Sequence, residues 1–277
     1  VTMIAAIVAL AAAATPAPQE EPGPTRAYGL SDPAPPSELR AFNPDRPSVT
    51  EGPFTVDAGH VQIELSAAEY TLARDRSRTL DALPVNLKLG LSNSMDVELL
   101  FTPYQRVEAD GSVDQGFGDE TLIRLKINLQ GNDGQGVALG VMPYVKLPTG
   151  TGGLSNDHVE AGLILPLATD LPGGFSLGAM IEGDLVYREE KQGYGLDLIH
   201  SASISHDIAG PVSGYVEYVG LVPQGAEAGR ASRYQAIASV GFVVAVRKDL
   251  LLDAGTRIGF SGEADRAVLF VGAATRF

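Results

Sequence analysis

The sequence predicts an all-β fold, a transmembrane up-and-down antiparallel β-barrel of about twelve strands. Three observations predict it. From His60 onward, segments alternate apolar with small or charged residues and are separated by turn residues, the period-two signature of strands. The apolar face often holds five alternate positions, as in Leu83, Val85, Leu87, Leu89 and Leu91, enough for a strand of about 9–11 residues to cross a bilayer. The opposite face is heavy in Gly, Ser and Ala with isolated charges, which suits a confined lumen better than the Lys-, Glu- and Thr-rich face of a soluble sandwich.

Twelve such runs are legible, at 59–74, 80–91, 95–108, 118–130, 136–148, 156–170, 174–188, 194–209, 212–224, 231–246, 250–262 and 266–277. An even number brings both ends of the barrel to the periplasmic side. Connections at 92–94, 131–135, 170–173, 209–211 and 247–249 are short, and would be periplasmic turns. Those at 110–118, 148–156, 189–193 and 223–230 are mostly longer and more polar, and would face outward. Tyr70, Tyr104, Tyr187, Tyr194 and Tyr234 fall near the outer strand ends, as an interfacial girdle requires. The last run sets Leu269, Val271, Ala273 and Thr275 toward lipid and ends on Phe277. A terminal aromatic on this pattern resembles the insertion signal of bacterial outer-membrane barrels, so Phe277 is the candidate assembly signal and the barrel-assembly machinery an expected partner, together with outer-membrane lipid.

The N-terminal part reads differently. Met3 to Ala14 is apolar and is followed by small residues. It is too short to span a bilayer and fits a signal peptide over residues 1–14. Residues 15–57 crowd prolines, from Pro16 to Pro53, among acids. They predict an extended periplasmic segment, and the sequence leaves open whether it enters the lumen. The barrel takes residues 58–277.

Composition removes several function classes. The formal net charge of −14 argues against a nucleic-acid partner. With no cysteine there are no disulfides and no thiolate metal sites. Asp110, Ser112 and Asp114 alternate like calcium ligands, but Gln115 and Thr121 stand where the loop needs Gly and Glu, so a solvated acidic outer loop is expected. His200 and Ser201 are adjacent and must point to opposite faces, which removes a nucleophile–base contact within one strand. No catalytic residue, metal or cofactor is expected.

The inward charges are the candidate site. Lys88, Arg124, Lys126 and Lys146 fall on one stretch of wall, and Arg257 and Arg276 join them once the barrel closes. Glu160, Glu182, Asp184, Asp197 and Glu217 fall on the opposite stretch, while Glu64, Glu98 and Asp253 interrupt the basic side. A mainly basic wall facing a mainly acidic one would act strongly on a permeating solute.

Asp45-Arg46-Pro47, Thr50-Glu51, Thr55-Val56, Gly59 and Gln62-Ile63-Glu64, with the blocks Gly116–Lys126 and Tyr144–Gly153, resemble the phenol meta-pathway degradation outer-membrane transporter family. The resemblance covers nearly the whole chain after the signal. It implies an outer-membrane barrel with a transport role and supplies no functional residues. The expected function is a channel or transporter admitting small solutes, aromatic or hydrophobic compounds among them. The alternatives are a plugged structural or surface-interacting barrel and an outer-membrane lipid hydrolase.

Overall fold

The computed structural model describes residues 26–189, 192–223, 234–261 and 264–277. The expected signal peptide lies outside them, as does most of the connection at 223–230. Among the described residues there are thirteen strands: β1 Val61–Leu72, β2 Arg78–Ala82, β3 Val85–Ser92, β4 Met95–Ala109, β5 Ser112–Gln130, β6 Val137–Leu147, β7 Glu160–Leu171, β8 Phe175–Arg188, β9 Gly193–Ala209, β10 Val212–Pro223, β11 Gln235–Arg247, β12 Leu250–Gly259 and β13 Ala267–Arg276. All pair antiparallel with their neighbours, and β13 pairs with β1 to close the barrel. At the seam, Phe277 donates its N–H to the Val61 carbonyl at 2.8 Å.

β2 and β3 share one place in the wall. β2 pairs with the outer halves of β1 and β4, while β3 pairs with their periplasmic halves. The barrel is therefore twelve-stranded. The expected continuous run 80–91 is broken because Pro84 has no N–H to give the ladder and Leu83 sits at φ 56°. The expected acidic loop at 110–118 is also different. Ala109 pairs with Ser112 across a two-residue turn. Asp110 and Gly111 there have φ of 50° and 82°, the positive pair that a tight hairpin twist demands. Ser112 and Asp114 are thus strand residues.

Burial is inverted relative to a soluble protein. Lys126 is 1% exposed and Glu98 0%, while Leu165, Val216 and Leu269 are 49–57% exposed. Charged side chains inside and large apolar ones outside make sense only with lipid around the barrel. Tyr187 and Tyr194 meet edge to face at 5.5 Å in the outer girdle.

The described part of the Pro-rich segment folds back against the barrel. Tyr28, Ala34 and Ala58 form a small apolar cluster with Leu39, and Gly29 bridges to Ser92 beside the β3–β4 turn. Residues 44–58 then run through the inside of the barrel as a strap. The small inner residues are where it seats. A Cβ on Gly90 would lie 2.0 Å from the Asp57 carbonyl oxygen, and one on Gly272 would lie 2.2 Å from Arg46 Nη2.

Candidate functional site

The strap is held by charges that the barrel wall presents in complement. Arg46 donates to both Asp253 oxygens, at 2.7 and 3.1 Å, and to Ser66 Oγ at 2.6 Å. Asp45 pairs with Lys88 and, at 2.5 Å, with Lys126. Glu51 pairs with Arg124 at 2.6 Å. Backbone donors are used as well. Asp45 and Arg46 give their N–H groups to Glu64, at 3.2 and 3.0 Å. Val49 and Thr50 give theirs to Glu217, at 3.1 and 2.7 Å, and Val56 donates to Asp96 at 2.8 Å. An extended chain with few internal partners needs such acceptors when buried. Val49 packs on Met142, Ile164 and Met180, an apolar patch on the inner wall.

These partners come from β1, β3, β4, β5, β10 and β12, so the strap is tied around most of the circumference. Asp45 is set between the Lys126 and Lys88 ammoniums.

The inward charges read from sequence fall into three groups. Lys88, Arg124 and Lys126 gather with Glu64, Glu98, Asp45 and Glu51 in one buried network. Asp253, Arg276 and Glu217 also hold the strap; Arg276 reaches Asp57 at 2.9 Å. The remainder lie toward the outer mouth. Lys146 pairs with Glu160 at 3.1 Å, Arg188 with Asp197, and Arg257 with Glu69 at 3.3 Å. Tyr144 donates to Asp184 at 2.5 Å, two residues along β8 from Glu182. Near partners neutralise most of these charges, because unpaired ones would be costly in so narrow a space.

Sequence reasoning missed the strap as a site, although the signal was present. Asp45, Arg46, Thr50, Glu51 and Thr55, which carry the family resemblance, are the residues that bond to the wall or brace the strap. His200 and Ser201 do point apart. His200 lies 3.0 Å from the Tyr234 hydroxyl on the outer surface, and Ser201 meets Thr50 Oγ1 at 2.7 Å inside.

Residues 44–277 match the sequence profile of the family described as "Putative MetA-pathway of phenol degradation". The chain belongs to this family. The match begins one residue before Asp45, so the strap is included in what defines the phenol-degradation MetA-pathway family. Among solved structures, the COG4313 outer membrane channel from Pseudomonas putida F1 superposes with a TM-score of 0.53 at 13% identity, covering 79% of this chain and 93% of its own. The NanC porin gives the same TM-score at 8% identity, covering 78% of this chain and 98% of its own. At these identities the likeness is one of fold. A search of curated proteins finds no match. A closed barrel with an apolar outer face, in this family, is a protein of the bacterial outer membrane.

Replacing Arg46 by Met should destabilise the barrel by about 3–5 kcal/mol, since Asp253 is left buried without its cation. Adding Asp253→Leu should recover most of that loss, because an apolar pair of similar volume is often neutral. Denaturant titration of folded protein in detergent measures both. Equal losses in the single and double variants would show that the pair is not the cause.

Proposed function

We propose that this protein is an outer-membrane channel for small solutes, narrowed by its own N-terminal strap. The observation that carries this reading is a pair of cavities in the lumen against the strap, about 290 and 260 Å³ in volume. Neither is filled by side chains, although twelve strands enclose little space. The family description ties relatives to phenol degradation. A monocyclic aromatic fits in either cavity, since about 150 Å³ accommodates benzene. Aromatic compounds are therefore among the solutes proposed here, with the Leu100, Phe101 and Leu122 side of the smaller cavity offering apolar surface.

The strap's many ion pairs favour a second reading, a plugged structural barrel. Planar-bilayer recording together with osmotic swelling of proteoliposomes separates the two. Small, stepwise conductance and uptake of a neutral pentose are the expected results. A fully folded barrel that passes neither ions nor pentose would establish the plugged form.

A further inference from the structure

The two cavities do not lie at random about the strap. The larger is bounded by inner residues of β7 to β12, among them Ser176, Ser203, Ser205, Ser213 and Tyr215. The smaller is bounded by Glu64, Pro84, Asn86, Leu100, Thr102 and Leu122, on the β1 to β5 side. Four strap residues, Asp45, Arg46, Ser48 and Glu51, line both. The turn that they form is thus the partition between the two spaces.

The charges facing these spaces belong almost entirely to that turn. In the larger cavity, the charged lining residues are Asp45, Arg46 and Glu51; in the smaller, Glu64 joins them. Lys88, Arg124 and Lys126, deeply buried cations of the wall, line neither. They sit behind the strap, engaged with its carboxylates. Resting on the channel reading, we infer that the strap turn 45–51 is the selectivity element of the pore: solutes pass beside it while it stays in place, and it favours small uncharged solutes.

Two physical arguments support this. First, the turn is braced internally as well as against the wall. Asp45 Oδ1 accepts the Gly52 N–H at 2.8 Å, and Ser48 Oγ lies 3.1 Å from the Asp45 carbonyl and 2.9 Å from that of Thr50. Withdrawing it would break ion pairs on β3, β5 and β12 together with the Glu217 contacts on β10. Second, each charge at the partition already has a partner. An ion entering there would leave its water and gain no free counter-charge, whereas a neutral solute carries no such penalty.

The chain has no cysteine, so single thiols can be placed cleanly. Ser48→Cys, folded first and then treated with a sulfonate-bearing thiol reagent, adds bulk and charge at the partition. Pentose-driven swelling of proteoliposomes should fall several-fold on labelling. Thr50→Cys with Ser201→Cys, at positions whose hydroxyls are 2.7 Å apart, ties the strap to β9. Oxidised and reduced forms of that variant should swell at the same rate. Complete labelling of Ser48→Cys, verified by mass, with an unchanged rate would overturn the inference. So would a cross-linked form that is silent until reduced, because the strap would then have to leave. An untreated wild-type barrel that admits no pentose would overturn the channel reading itself and this inference with it.

Discussion

Replacing both Arg124 and Lys126 by Glu is expected to expel the strap and widen the pore. Glu51 now lies 2.6 Å from Arg124, and Asp45 lies 2.5 Å from Lys126. After substitution Glu51 would face like charge beside Glu98, which is fully buried, and Asp45 would keep Lys88 alone. Loss of each buried pair costs about 3–5 kcal/mol. From sequence alone, the same substitution predicts a shift toward cation preference, as if the two cations were bare on the wall. The structure predicts a larger effect. Unit conductance should rise about threefold or more as water fills the vacated lumen, with cation preference following from the acids left there. Single-channel recording in a salt gradient reads both quantities. A variant with wild-type conductance and an altered reversal potential would show that the strap stays despite the reversed charges.

The second large effect is expected at the seam. Changing Phe277 to Asp should sharply lower the amount of folded barrel while leaving export to the periplasm intact. Phe277 is 69% exposed at the rim, and its backbone exchanges hydrogen bonds with Val61, at 2.8 and 3.3 Å. The His60 ring also meets its carbonyl at 2.9 Å. The backbone contacts survive substitution, and a charge near the membrane interface costs only about 1 kcal/mol or less. A loss of folded yield beyond about tenfold exceeds what that energy supplies. It would have to come from impaired assembly, the role proposed for Phe277. Heat-modifiable migration of the outer-membrane fraction measures it, and normal yield would remove Phe277 from assembly.

The sequence by itself determined the barrel. Alternation is a local property: a strand with lipid on one side and lumen on the other must repeat every two residues, so Leu87, Leu89, Lys88 and Gly90 announce their faces without knowledge of any neighbour. The same logic placed the twelve wall positions and most turns. It failed where one residue outweighs the pattern, as at Pro84, or where a loop-like composition hides a two-residue hairpin, as at Asp110 and Gly111. Only the tertiary structure decided what fills the lumen. Residues 44–58 have no periodicity, because an extended strap answers to a different strand at each step: Asp45 to β3 and β5, Arg46 to β12, Thr50 to β9 and β10, Glu51 to β5. Contacts so far apart along the chain, as between Arg46 and Asp253, exist only once the barrel has closed. Charge complementarity across such distances produces no local periodicity, although the same residues carry the family resemblance.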